Sequence, residues 1–258
     1  SGTQTVRRVY IYITSACLLS GSAFAAGYIL QTVFQHLYLL IVGRASIIHS
    51  GDGFWLELTG GFLATWVVTT PIWAAHWLYF ARGDRKSVLR QIYLYGFAIF
   101  GSTVTIIVSV GLILYGILSW GFGIGSSFGL EDVADHFEFL PTVLSTIIIG
   151  VLILAHHWPK AAIECIDTPH GPPPGHRAYE YALTTAGIIL IALAIGALVD
   201  GTLQTFENTT ERIISGDDLW RNRLASFATF SLLGIPLWTY QWTNIRKRAS
   251  RSEMDEVN

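Results

Sequence analysis

The sequence predicts an all-α fold, a polytopic membrane helix bundle of six transmembrane helices arranged as three parallel two-helix repeats in a single membrane domain, 1–258. Three observations predict it. Of 258 residues, 52 % are hydrophobic and 13 % charged, about half the charged share of an ordinary soluble domain, and the mean hydropathy is +0.47. Six segments approach the roughly 20 apolar residues that a helix needs to cross a bilayer. The ends of those segments also repeat a residue pattern. Lys and Arg number 16 against 18 Asp and Glu, for a net charge of −2, which gives no electrostatic basis for binding nucleic acid. The two cysteines, Cys17 and Cys165, are too few for a disulfide scaffold and read as free thiols.

The first span, Val9 to Leu30, follows Arg7 and Arg8 as a signal peptide would. It runs on without a short apolar core and a polar cleavage site, so it is predicted to be retained. The next stretch, Gln31 to Val42, is too apolar for a free loop and predicts a long tilted helix or an interfacial one. Its face of Phe34, Leu37, Tyr38 and Ile41 would dock on a partner, on lipid or on its own bundle. Phe62 to Phe80 and Ile92 to Trp120 are the second and third spans. Gly121 to Gly129 is rich in glycine but lacks the lysine of a phosphate loop. Pro141 to His157 is short for a crossing and needs an interfacial turn to complete it. The connector Thr168 to His176 carries three consecutive prolines and is expected to be a turn or extended. Its His170 and His176 lack the cysteine or carboxylate set of a metal site. Tyr181 to Val199 and Phe227 to Trp242 complete the six, the last again short. Asn208-Thr209-Thr210 between them is a glycosylation sequon without meaning in a bacterium.

Twelve Lys and Arg fall on the side of the chain ends, including Arg82, Arg85, Lys86, Arg90, Lys160 and Arg177, against Arg44, Arg212, Arg221 and Arg223 on the other. That bias places both termini in the cytoplasm.

The repeat is the strongest pattern. Arg7-Arg8-Val9-Tyr10-Ile11-Tyr12, Arg90-Gln91-Ile92-Tyr93-Leu94-Tyr95 and His176-Arg177-Ala178-Tyr179-Glu180-Tyr181 open the odd spans. His76-Trp77, His157-Trp158 and Gln241-Trp242 close the even ones. From the first Tyr to the His or Gln the distance is 66, 64 and 62 residues. The copies are 7–82, 90–160 and 176–246, with a short cytoplasmic tail 247–258. Two spans per copy make the repeats parallel and not inverted. All these motif ends are then expected at one interface, the tyrosines and tryptophans as an aromatic belt and the arginines as headgroup anchors. The pairing of an Arg-x-x-Tyr-x-Tyr start with a His-Trp end resembles an uncharacterised bacterial family of tandem two-helix membrane domains. Arg7 to Trp77 and Arg90 to Trp158 carry the resemblance, and the third hairpin departs by having Gln241 for His. The resemblance implies a protein of the bacterial inner membrane and supplies no activity.

Ionisable residues are nearly absent at membrane depth, Glu57 and Asp200 near helix ends coming closest. This disfavours a proton pump or ion-coupled carrier, and no hydrolase pattern lies within a span. The reading is a non-catalytic integral membrane protein, a structural or accessory subunit of a larger membrane assembly. Its partners would be the lipid bilayer and other membrane proteins or further copies of itself, met through small-residue faces such as Ser22 to Gly27, Gly96 to Gly101 and Gly187 to Gly201. One alternative is a b-type membrane cytochrome with His76 and His157, at matching positions of two helices, as haem ligands. Another is a channel or facilitator for a neutral solute. No cofactor is required by the first reading; haem b is required by the second.

Overall fold

A computed structural model describes residues 2–43, 54–82, 84, 87–124, 133–166, 172–207 and 218–257, side chains being described for most of these. Among them every regular element is helical. We label α1 Gly2–Ile41; α2 Phe54–Ala74, which runs on into a π-helical stretch Ala75–Phe80; α3 Val88–Gly121, π-helical over Ile92–Ile99; α4 Val133–His136, a single turn; α5 Leu140–Ile166; α6 Pro174–Glu207; and α7 Asp218–Val257. Four helical stretches are long and apolar enough to cross a membrane: Thr3–Ile41, Val88–Gly121, Val133–Glu164 and Pro174–Gln204. The chain divides into two compact units, 1–109 with 138–177, and 110–137 with 178–258.

Helix ends follow from sequence. Gly43 and Gly123 have φ of +70°, the left-handed conformation that closes a helix and that glycine adopts without a Cβ penalty. At the second, Gly123 N–H bonds to Trp120 O at 2.9 Å and Ile124 N–H reaches back to Ser119 O at 3.0 Å, which satisfies carbonyls the helix would leave open. The extension predicted beyond Leu30 is helical: α1 continues unbroken to Ile41, about 60 Å at 1.5 Å per residue. The connector before the fifth span departs from expectation. Pro174 is the first residue of α6 and Pro173 O accepts from His176 N–H at 3.0 Å, so His176 is helical. Proline suits the first turn because its missing N–H is unneeded there and its φ is already helical. The carboxyl-terminal stretch 247–257 likewise continues α7. The sequon Asn208-Thr209-Thr210, His170 and residues 125–129 of the glycine-rich loop lie outside the described residues.

In the first unit α1 packs along α2. Ser22 Oγ and Thr70 Oγ1 share a hydrogen bond of 2.6 Å, Tyr28 stacks on Phe62 with centroids 3.9 Å apart, and Phe24 meets Phe62 edge-on. The α3–α5 contact is close because Gly150 has no side chain. A Cβ there would stand 3.0 Å from Ile106 Cγ1 and 3.4 Å from Ser102 O.

In the second unit α6 and α7 run antiparallel. Glu180 pairs with Arg248 at one end and Asp200 with Arg223 at 2.6 Å at the other. Between them Gly187 and Gly234 bring the backbones together: a Cβ on Gly187 would lie 2.9 Å from Trp238 N, and one on Gly234 3.0 Å from Gly187 O. Small residues permit such an approach between membrane helices. Gly187→Ala should therefore cost about 1–3 kcal/mol through overpacking. Gly196→Ala, where a Cβ meets nothing within 4 Å, should leave the thermal midpoint in detergent unchanged or slightly raised. Equal midpoints for the two variants would refute the crossing.

Candidate functional site

The site lies in the first unit, where the starts of α1 and α3 meet the ends of α2 and α5. Both π-helical stretches converge here. Pro71 removes a backbone donor from α2, and within the wide turns that follow, Ala81 N–H bonds to His76 O, five residues back, at 3.1 Å. A π-helix shifts the register of its side chains, and this one presents Trp77 to Tyr93 of the other, ring centroids 4.6 Å apart.

Trp77 is 3 % exposed and carries two cations against its ring, Arg90 at 4.8 Å and Lys160 at 5.2 Å from the centroid. Such contacts strengthen where water is excluded. Arg90 is itself buried. Its Nε donates to Glu164 Oε1 at 2.7 Å, and its guanidinium also donates to Ala81 O at 2.9 Å. It thereby ties the start of α3 to the ends of α2 and α5. Lys160 bonds to His156 on the exposed side of the cluster.

Tyr93, 2 % exposed, sits at the centre. Its hydroxyl accepts from Trp73 Nε1 at 2.9 Å and donates to His157 Nε2 at 3.4 Å. His157, fully buried, completes the chain by donating from Nδ1 to Ile153 O at 2.8 Å. Tyr95 donates to Ala161 O at 3.0 Å. At the rim, Tyr12 donates to Asp84 Oδ2 at 3.2 Å and Arg8 pairs with Asp84 Oδ1 at 2.8 Å.

His76 and His157, the residues singled out from sequence, share one local geometry: each donates from Nδ1 to the carbonyl four residues earlier, Ile72 and Ile153, at 2.9 and 2.8 Å. Their surroundings differ. His76 lies against Tyr10 and Phe80, whereas His157 lies among Trp73, Trp77, Tyr93 and His156. The groups that sequence reasoning passed over are Arg90, Glu164, Lys160 and Trp73. From sequence, arginine and tyrosine at a span's start read as headgroup anchors and belt residues. Tyr10, Tyr79 and Tyr181 are indeed exposed, but Tyr12, Tyr93, Tyr95, Trp77 and Arg90 are interior.

Three ion pairs join a charge within three residues of the first Tyr of a Tyr-x-Tyr motif to an opposite charge seven or eight residues beyond His76, His157 or Gln241. The pairs are Arg8 with Asp84, Arg90 with Glu164 and, with signs reversed, Glu180 with Arg248. Among the described residues no group of three or more His, Cys, Asp or Glu is placed to hold a metal ion. Asp200, near the other helix ends, is committed to Arg223.

Replacing Tyr93 by Phe would leave Trp73 Nε1 and His157 Nε2 without this partner. The expected loss is about 1–3 kcal/mol, read as a lower unfolding midpoint in detergent; an unchanged midpoint would refute the three-residue chain.

Long apolar helices, antiparallel pairing and charges withdrawn to helix ends define a helical membrane protein. A family model described as a domain of unknown function, DUF5671, matches residues 8–141 and 177–257, and the chain belongs to that family. The two matched parts begin at Arg8 and Arg177, each two residues ahead of the first Tyr of a Tyr-x-Tyr start, in keeping with a repeat. No curated protein and no solved structure matches the chain.

Proposed function

We propose that this protein is a six-span, threefold-repeat membrane protein that serves as a non-catalytic structural or accessory subunit of a larger assembly in the bacterial inner membrane, with both termini cytoplasmic. The observation that carries the reading is the recurrent end-closing ion pair, found in each of the three hairpins. It supports the repeat through its far-side partners, Asp84, Glu164 and Arg248, each seven or eight residues beyond His76, His157 or Gln241. It favours a structural role, because the best-buried charges, Arg90, Glu164 and Glu180, are all committed to one another or to Arg248. Broad lipid-depth surfaces, such as Ile188, Ile189, Leu193 and Ile195 on α6, remain exposed for lipid or partner helices.

A second reading, a b-type cytochrome, draws support from the shared histidine geometry. With Nδ1–H given to a carbonyl, Nε2 is the nitrogen free to ligate, as second-shell bonding arranges in metal-ligating histidines. Tyr93 against His157 Nε2 weighs on the other side.

One preparation tests both. The protein, extracted from native membranes in mild detergent, is scanned air-oxidised and dithionite-reduced, and its co-purifying polypeptides are identified. The proposal expects no Soret band and a stoichiometric set of membrane polypeptides. A Soret band that His76→Ala and His157→Ala each abolish would replace the subunit reading with the cytochrome.

A further inference from the structure

A cavity of about 550 Å³ lies between α1, α3 and α5 in the first unit, from Leu19 to Gln31 on α1, Gly96 to Thr105 on α3 and Ser145 to Ile153 on α5. We propose that it is a binding site for the hydrocarbon chain of a phospholipid, entering from the leaflet opposite the ion-paired helix ends. The inference rests on the reading that these helices span the bilayer.

Shape comes first. The lining covers about 12–18 Å of helix at 1.5 Å per residue, and the cavity is open on the side where Gly96, Phe97 and Gly101 are exposed. A helix of about 10–12 Å diameter could seat only part of its surface there, whereas a flexible hydrocarbon chain can lie within it. The space arises because Ala23, Gly27, Gly96, Ala98 and Gly101 supply little side chain. A Cβ added at Gly96 or Gly101 meets nothing within 4 Å.

Four hydroxyls of the wall make no polar demand on an occupant. Ser102, Thr105, Ser145 and Thr146 line the cavity, yet their hydroxyls return to their own backbones, at Ile99, Gly101 and Thr142 carbonyls, with distances of 2.7–3.0 Å. Such wall chemistry suits methylene groups and would leave a polar ligand unpaired.

Direction follows from the two ends. One abuts the buried cluster: Phe97, itself exposed, stacks on Tyr93, and Ile153 O holds His157. The other reaches Tyr28 and Gln31, which lie about 27–32 Å along α1 from Tyr10. That is the thickness of the hydrocarbon core, about 30 Å, so the polar pair stands at the far interface, where a headgroup anchored there would send its chain inward.

Native mass spectrometry of membrane-extracted, delipidated protein, re-exposed to palmitoyl-oleoyl phosphatidylethanolamine, tests this. Wild type is expected to retain one lipid per chain, and Gly101→Leu and Gly96→Leu to retain at least tenfold less. Gly61→Leu, an exposed α2 position outside the cavity where a Cβ also meets nothing, is expected to match wild type. Helix content and monodispersity are measured on every variant, and either cavity variant suffices if the other fails to fold. Retention equal in folded cavity variants and wild type, or no retained lipid in wild type, overturns the site. So does a dimer that Gly101→Leu converts to monomer, which would assign the cavity to a second copy. A protein recovered from the soluble fraction would instead overturn the spanning reading beneath it.

Discussion

Replacing Arg90 with alanine is expected to remove about 3–5 kcal/mol of stability, because it takes the guanidinium away from the buried Glu164 carboxylate. Both side chains of this pair are about one tenth exposed, so water cannot rehydrate the survivor. The same truncation at Arg8 should cost no more than about 1 kcal/mol: that arginine is half exposed and its partner Asp84 also receives Tyr12. Arg90→Lys is intermediate, since an ammonium keeps the charge but cannot reproduce the planar group that serves Glu164 and Ala81 O together while lying over Trp77. Arg90→Met combined with Glu164→Leu should recover most of the loss, as buried ion pairs exchanged for packed apolar residues commonly do. Thermal unfolding in detergent, scored by retained monodisperse protein, reads all four. If Arg90→Ala and Arg8→Ala shift the midpoint equally, the buried pair is not what holds these helix ends.

The helices were legible in the sequence because lipid-depth segments announce themselves by composition, and the motif ends because Tyr-x-Tyr and His-Trp recur. Their chemistry was less so. A tyrosine at a membrane interface and a tyrosine at the centre of a hydrogen-bonded cluster have the same neighbours in sequence; Tyr10 and Tyr93 occupy equivalent positions, yet the first is exposed and the second buried. What separates them is which helices close over each, and no local pattern encodes that. The ion pairs could have been found. Asp84, Glu164 and Arg248 stand at nearly constant distance beyond His76, His157 and Gln241, but the sign reversal in the third hairpin hides the correspondence from a reader matching residue types. The departure at His176 has a different cause. Three prolines read as a helix breaker, whereas the last of them, Pro174, opens α6. The pairing of His76 with His157 comes from repeat position alone, and repeat position does not report burial: His157 is wholly buried, whereas His76 is only partly covered.

Arginine placed at Ile189 should impair membrane insertion by about 2.5–3.5 kcal/mol, the cost of that side chain near the centre of a spanning helix. Ile189 is 53 % exposed on α6, so the guanidinium would face lipid and not an interior partner. The informative comparison is with α2 and α7, which are not among the four helices that qualify by length and hydropathy. The proposed six-span topology has them cross as well. Tyr12 and Tyr93 lie 6.1 Å apart, so α1 and α3 begin at the same level, and a spanning α1 can be followed by α3 at that level only if α2 returns through the bilayer. The same holds for α7, which stays paired with α6 from Asp200–Arg223 to Glu180–Arg248; those 25 residues of α7 cover about 38 Å of helix, more than the hydrocarbon core. Val67→Arg on α2 and Leu232→Arg on α7, both at exposed positions, are therefore expected to lower membrane yield as Ile189→Arg does. Normal yield for these two beside a loss at Ile189 would leave four spans and dismantle the repeat, while normal yield for all three would remove the membrane topology itself.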